Sequence, residues 1–536
     1  MHDRQTWRLT RFNLRHDWQL IILWLLMIVG LTGAAAGKFN GLYGDSASIT
    51  SIVKVLKMPA MTAILGRFSG HSPFTTADIF ANEMMVFLGL FVAMMMIFFA
   101  VRNSRQEESN GELELIRSRS VSRVSPLLAA ALELLIIAIT LGGLLFVSLQ
   151  ASGMHGMTRQ GNLLMSFSLA GFGWAFGTLV LVLAQFSESP KTVTGLSYLV
   201  LGISYLVRML TDIKAPKLSL YTPLGWLEKL SPYHHNYFGP VWVTLGIGLI
   251  CLILAVLLVG QRDLGAGFIN PHLGRATASP FLRGPFSLLW RLTKFSSAAW
   301  LIGLFILGMA YGSIFNSIGN LFKSNPELAK IMGHAAVSAA NQTLILQFIA
   351  LLMIVFATLA TIPALQVLLR LNTDEAKGQL ELLHATATPR RRFYLSAVFM
   401  SLLIGTFVLV GALLGLDTAN LMVLAHPIHQ HDFIWAVIAY LPPIYTTLGL
   451  SALLVGLLPR WQWISWLIPA YGFISLYLGR LLDLPTWAKR LTPYGWINEV
   501  PVKEPQIATL LVLLLIAGAA FLIGGLAYCH RDLIEN

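Results

Sequence analysis

The chain has 536 residues, of which 56% are hydrophobic and only 12% charged, whereas a soluble globular chain carries roughly 25% charged residues. With a mean hydropathy of +0.69, a soluble protein is excluded. The formal net charge of +12 does not point to nucleic acid, because the basic residues are dispersed in short segments between apolar runs, where positive charge orients a membrane chain.

A membrane-spanning helix needs about 20 mainly apolar residues. Runs of that length fall at about 19–36, 82–101, 126–149, 163–186, 194–210, 239–260, 297–316, 343–370, 394–416, 432–457, 463–483 and 507–528. They predict an all-α polytopic protein with twelve transmembrane helices. The first run lacks a small-residue cleavage site and reads as a retained span. The two cysteines, Cys251 and Cys529, lie in or just after apolar runs, where no extracytoplasmic disulfide forms. Alternate connecting segments hold Arg4, Arg8, Arg11 and Arg15, then Arg102 to Arg123, Arg262 to Lys294, and Arg370 to Arg392. That bias places both termini on the cytoplasmic side.

Four landmarks recur in order and at nearly constant spacing. Trp7-Arg-Leu-Thr-Arg-Phe12 before the first span matches Trp290-Arg-Leu-Thr-Lys-Phe295 before the seventh, and Gly111-Glu-Leu-Glu-Leu115 after the second matches Gly378-Gln-Leu-Glu-Leu382 after the eighth. Thr222-Pro-Leu-Gly-Trp226 before the sixth span matches Thr492-Pro-Tyr-Gly-Trp496 before the twelfth, and Arg262-Asp-Leu264 after the sixth matches Arg531-Asp-Leu533 after the twelfth. The matches include Trp, Arg, Glu and Pro, which shared apolar composition does not supply, so the chain reads as two tandem six-helix repeats. The domains expected are 1–260, a cytoplasmic linker 261–289, and 290–536, each half headed by an interfacial helix. Six spans return a chain to the side it started from, so both halves enter from the same face, with the interface between them a natural pathway.

The N-terminal arginines recur every three to four residues and line one face of a helix lying in the inner interface. The stretch from Arg102 to Ser125 is the most polar part of the chain, and Glu112, Glu114, Arg117, Arg119 and Arg123 fit a short cytoplasmic helix. Its counterpart, Asp374 to Arg392, keeps Glu381 opposite Glu114 and Arg390 opposite Arg123. Leu-Glu-Leu in both halves suits a docking surface in which apolar residues flank a carboxylate. The other reading is that Leu113 and Leu115 tuck against the chain's own helices.

Two six-helix copies, each with a basic interfacial helix and a Gly-x-Leu-Glu-Leu segment between its second and third spans, resemble the permease subunits of ATP-binding-cassette exporters of the antibiotic type, including those for polyketide and polyether drugs. The resemblance covers essentially the whole chain and rests on architecture more than on letters. It implies that Glu112, Glu114, Arg117, Glu381 and Arg390 couple to a separate cytoplasmic ATPase, present in two copies, which binds ATP and Mg. It also implies a bacterial cell membrane and an amphiphilic drug, antibiotic or lipid-like cargo. Consistent with a separate ATPase, the sequence has no Gly-x-x-x-x-Gly-Lys-Ser/Thr loop, the backbone cradle that nucleotide phosphates need.

Charges within spans are expensive and invite a functional reading. Glu133 in the third span, with Met400 at the matching position of the ninth, reads as a proton or cation carrier or as a structural residue. Arg208 and Arg480, at matching ends of the fifth and eleventh spans, have Asp212 and Asp483 about one turn on and read as helix-internal ion pairs. His426, His429 and His431 form a cluster with no paired carboxylate or cysteine, so no metal site is assigned. Nor is any catalytic or cofactor-binding residue. The amphipathic stretch Ile49 to Leu65 caps the outer exit or lies at the outer interface. The alternative function is a proton-coupled secondary drug exporter using Glu133, although the second-to-third connection lacks Gly-x-x-x-Asp-Arg-x-Gly. A membrane-embedded glycosyltransferase would show an acidic pair after the first span, and Gly33 to Gly44 holds no carboxylate.

Overall fold

The computed structural model describes residues 2–43, 46–57, 59–70, 72–118, 121–215, 218–269, 277–313, 315, 341–379, 388–424, 426–477, 484–497 and 499–531. Among them the regular structure is all helix, and eleven helices are long and apolar enough to cross a membrane. Hydrocarbon offers no partner to backbone N–H and C=O groups, so a spanning segment must pair them internally. The twelfth expected span, 463–483, is described only in part, because 478–483 lie outside the described residues.

The chain divides into two compact units, Met1–Gly274 and Arg275–Asn536. The first contains α1 (His2–His16), α2 (Trp18–Leu42), α3 (Ser46–Leu56), α4 (Pro59–Leu65), α5 (Thr76–Val101), α6 (Glu107–Ser109), α7 (Glu112–Arg117), α8 (Ser125–Ser152), α9 (Arg159–Phe186), α10 (Pro190–Lys214), α11 (Pro223–Glu228) and α12 (Gly239–Gln261). The second contains α13 (Pro285–Gly312), α14 (Asn341–Ala376), α15 (Arg390–Val423), α16 (Gln430–Leu457), α17 (Leu467–Tyr477), α18 (Thr486–Lys489) and α19 (Ile507–His530).

In the first unit α5 and α9 form the centre, 67% and 72% of their most apolar stretches being buried, against 22% for α2 and 17% for α12. The poorly buried helices are as apolar as the central ones, which is how lipid-facing helices read. Helix α1 separates from α2 at Asp17, whose φ of −98° and ψ of 5° depart from α-helical geometry. It buries the polar stripe Thr6, Thr10, Asn13 and leaves Trp7 and Phe12 exposed, with the Thr10 hydroxyl 3.4 Å from the Ala129 carbonyl of α8. Outward aromatic and basic residues suit a helix lying at a membrane interface.

The second copy of that landmark behaves differently. Trp290 to Phe295 lie inside α13, which runs unbroken for 28 residues. The separate interfacial helix expected at the head of the second half is therefore the first turns of the span itself. Where the first half has Asp17, whose carboxylate accepts Arg102 Nε at 2.8 Å, the second has Trp300, and the helix runs through that position.

The Thr-Pro-x-Gly-Trp landmarks fold alike. The Gly225 amide donates to the Thr222 carbonyl at 3.0 Å and the Gly495 amide to the Thr492 carbonyl at 3.1 Å. A Cβ on Gly225 would lie 1.9 Å from the Ser219 carbonyl oxygen, and one on Gly495 1.8 Å from the Lys489 carbonyl oxygen. Both turns thus require glycine at the same register, and each precedes the last span of its own half.

Forcing a methyl group into such a contact costs roughly 1–3 kcal/mol. Gly225→Ala and Gly495→Ala should each lower the melting midpoint of the purified full chain in detergent. Gly246→Ala, where a Cβ would meet nothing within 4 Å, should leave it unchanged.

Candidate functional site

The polar segment after α5 begins with a π-helical turn, Arg102–Gln106, in which Asn103 departs from helical geometry at φ −92° and ψ 21°. A π turn rotates the residues after it relative to the α-helix before it, and here Asn103 and Arg105 both point inward and are buried. Glu108, on α6, is buried as well. Gly111 then takes φ +80°, a left-handed conformation that glycine adopts without steric cost, and α7 follows.

Helix α7 has no buried residue. Glu112, Glu114 and Leu115 are exposed, Leu115 to 75%, while Leu113 and Arg117 line a small recess of about 40 Å³ together with Arg123, Arg105 and Glu108. The two leucines therefore part company: Leu113 turns toward the chain's own helices, and Leu115 is left outward beside Glu114. Arg117, expected beside them, faces the recess.

Under α7 the Glu108 carboxylate is held from several directions. Arg262, just past the end of α12, grips it with both terminal nitrogens at 2.7 Å each. The Gly265 amide donates to it at 2.7 Å, and Arg105 Nη1 at 3.0 Å. Arg262 Nε donates to Gln185 of α9 at 2.6 Å, and Arg105 Nε to the Ala184 carbonyl at 2.9 Å. A bidentate guanidinium–carboxylate pair is strong and geometrically restrictive, and it ties the end of the second span to the end of the sixth.

The second unit repeats the clasp with different helpers. Arg531 Nη2, just past α19, donates to Glu375 at 2.6 Å and to the Asn372 side-chain oxygen at 2.8 Å. Arg390 Nη2 meets the other Glu375 oxygen at 3.3 Å, and its Nη1 donates to the Arg531 carbonyl at 2.5 Å. Tyr528 lies beneath both guanidinium groups, 5.0 Å from Arg531 and 5.8 Å from Arg390. Gly378 follows Glu375 with φ +69°, as Gly111 follows Glu108. Arg390, expected at a partner-facing surface, thus serves the clasp of its own unit, and Glu381 lies outside the described residues.

Glu133 is buried in α8 and accepts the Asn103 amide at 2.6 Å; its neighbour there is an amide and not an arginine. Arg208 pairs with Asp212 at 3.3 Å, as the helix-internal reading expects, and also with Glu228 on α11. Burial pushes the Glu228 carboxyl up to about 8, Arg208 opposing the rise and Asp212 adding to it. Arg480 and Asp483 lie outside the described residues. His431 Nε2 accepts the Trp435 indole N–H at 2.7 Å, and among the described residues no three His, Cys, Asp or Glu side chains converge on a metal-sized site. The stretch Ile49 to Leu65 packs on its own unit, the Ile64 carbonyl accepting Tyr205 Oη at 2.9 Å and Arg208 Nη2 at 3.1 Å.

Glu108, Arg262, Glu375 and Arg531 are the residues that sequence reasoning passed over. Their signal was present, since Arg-Asp-Leu recurs after the last span of each half and a glutamate stands three residues before each left-handed glycine.

The family described as "Multidrug efflux system permease Rv1217c, C-terminal domain" matches residues 10–260 and 282–529. The chain is 28% identical over 534 residues to the multidrug efflux system permease protein Rv1217c of Mycobacterium tuberculosis (strain ATCC 25618 / H37Rv), the alignment covering 98% of this chain and 94% of that protein.

Removing one partner of a buried ion pair costs about 3–5 kcal/mol, because the other charge is left uncompensated. Glu108→Ala and Glu375→Ala should therefore sharply lower the unfolding midpoint of the purified chain, whereas Glu112→Ala and Glu114→Ala, both exposed, should stay within about 0.5 kcal/mol of the parent.

Proposed function

The chain belongs to the family of multidrug efflux system permeases matched over nearly its whole length, and from that membership we propose that it is the membrane-spanning subunit of an ATP-driven exporter. Two copies of a separate cytoplasmic ATP-binding-cassette ATPase dock on it, one at α7 and one at the equivalent segment of the second half. The cargo is an amphiphilic drug, antibiotic or lipid-like molecule, and the setting is a bacterial cell membrane with both termini cytoplasmic.

The observation that carries this reading is the exposure of α7. Leu115, 75% exposed and next to the exposed Glu114 and Glu112 on a helix outside the spanning segments, is an apolar anchor with charges at its rim, the arrangement that protein interfaces use. The sequence holds no Gly-x-x-x-x-Gly-Lys-Ser/Thr loop of its own, which agrees with ATP and Mg being bound by a separate subunit. Glu381 and the apolar residues around it take the same role in the second half.

Movement of a docked ATPase has a direct route into the membrane. A push on α7 reaches Glu108 within a few residues, and Glu108 is fixed bidentately to Arg262 at the end of α12. The second and sixth spans then move together in each half, which converts a small displacement at the surface into a shift of two spans. Interactions of this kind act as discrete switches because packed helices have few alternative arrangements.

Co-expression of the full chain with a candidate ATP-binding-cassette ATPase subunit from the same organism, followed by affinity purification, checks the docking. Leu115→Asp should abolish co-purification while leaving the permease folded, and Glu114→Ala with Glu381→Ala should weaken it. Arg262→Lys, which keeps the charge and loses the bidentate fork, should retain the bound ATPase but lose drug-stimulated ATP hydrolysis. Efflux that persists without any ATPase and follows the proton gradient through Glu133 would favour the secondary exporter instead.

A further inference from the structure

In each half the Thr-Pro-x-Gly-Trp turn lies against the second span of that same half. In the first unit Leu227, just after the turn, fills the groove beside Gly89 of α5, where an added Cβ would lie 2.5 Å from it. In the second, the Tyr494 hydroxyl lies 2.6 Å from that of Thr361 on α14. The turns share the backbone bond to their glycine, but the first opens the α-helical segment Pro223–Glu228 with Thr222 capping it and the second is the 3-10 turn Pro493–Trp496 without that cap, and the spaces beside them differ.

That difference is large. Beside the first turn, Arg208, Asp212 and Glu228 are packed together and buried, and the remaining space, bounded by Asp78, Asn82 and Glu228, is about 20 Å³, room for roughly one water. Beside the second turn a cavity of about 340 Å³ opens, within the range of small-molecule sites, roughly 300–1,000 Å³. Leu351 and Ile354 of α14, Tyr440 of α16 and Leu476 of α17 give it apolar walls.

The mouth of this cavity is cationic. Among the described residues Lys489, Arg490 and Lys503 line it with one carboxylate, Glu499, which pairs with Lys503 at 3.3 Å. Among the described residues no carboxylate lies within ion-pair distance of Lys489 or Arg490. Inside, the Gln347 side-chain oxygen is buried without a hydrogen-bond partner, and buried acceptors in native proteins are normally satisfied. Apolar walls, two uncompensated cations at the entrance and one idle acceptor describe the complement of a particular chemistry.

We propose that the cavity between the Thr492–Trp496 turn and α14 binds an amphiphile that carries one acidic head group, its head at Lys489 and Arg490 and its apolar body along Leu351 and Ile354. A hydroxyl or amide N–H on the ligand satisfies Gln347. The proposal deepens the efflux reading by giving the cargo a chemical class, and it rests on family membership, not on ATP as the energy source. Acid-headed amphiphiles reach the site either as cargo or as anionic lipid.

The test is equilibrium binding of 11-(dansylamino)undecanoate to the full chain in phosphatidylcholine nanodiscs, without ATPase, read by dansyl fluorescence. The acid should bind saturably, and Lys489→Gln with Arg490→Gln should weaken it at least tenfold while leaving the methyl ester unaffected. Ile354→Trp, which fills the cavity, should remove binding of acid and ester alike; the charge variant keeps the test meaningful if the tryptophan impairs folding. Competition by phosphatidylglycerol placed in the disc would identify the source as lipid, and ATP-dependent or gradient-dependent release of the probe would identify it as cargo, both supporting the site. Equal affinity of parent and Lys489→Gln/Arg490→Gln protein for the acid would overturn it. Because no nucleotide or ATPase is present, that failure would leave the docking of the ATPase untouched.

Discussion

A carboxylate buried at the base of the second span, gripped by an arginine from just beyond the sixth, is the constraint around which each half is arranged. Neither partner tolerates burial alone: an isolated charge out of water costs several kcal/mol, and only close pairing with further hydrogen bonds offsets it. Glu108 meets that condition with Arg262, Arg105 and the Gly265 amide, and Glu375 with Arg531 and Arg390. The clasp fixes where the second span ends, where the left-handed glycine turns the chain, and therefore where the short polar helix after it stands. Residues beyond the sixth span are drawn in as well, the Phe268 and Ile269 amides donating to the carbonyls of Gln185 and Phe186 at the end of α9.

Duplication gives two clasps, and their divergence is informative. The helper arginine comes from the second span itself in the first half, as Arg105, and from the start of the third span in the second half, as Arg390. Different sequence solutions that converge on one carboxylate between two guanidinium groups indicate that the geometry is what is kept. Elsewhere the halves separate: Asp17 breaks α1 from α2 while α13 runs on, and a cavity of about 340 Å³ opens beside the second Thr-Pro-x-Gly-Trp turn.

Much of the frame was legible in the sequence because its causes are local. Spans follow from runs of apolar residues, and the duplication follows from landmarks rich in Trp, Pro, Glu and Arg that composition alone does not repeat. What the sequence did not disclose depends on contacts between distant segments. Arg262 and Glu108 are 154 residues apart, so the Arg-Asp-Leu repeat was visible as a landmark but not as a partner of anything. Leu113 and Leu115 are indistinguishable by type and neighbours, and only the rotation set by the π turn and Gly111 sends one inward and the other outward. Arg390 matched Arg123 by position, yet it is turned toward Glu375 while Arg123 borders the recess below α7. The cavity beside Tyr494 had no signature at all, since its lining comes from α14, α16, α17 and the segment around the turn, which are far apart in sequence.

Whether motion at α7 is driven by ATP is decided most directly by transport in inside-out vesicles containing the full chain and the candidate ATPase subunit. With a protonophore collapsing the pH gradient, addition of ATP should drive accumulation of a fluorescent amphiphilic drug, and Arg262→Lys vesicles should hydrolyse ATP without accumulating it. Accumulation that survives the removal of ATP but vanishes with the protonophore would contradict an ATP-driven permease.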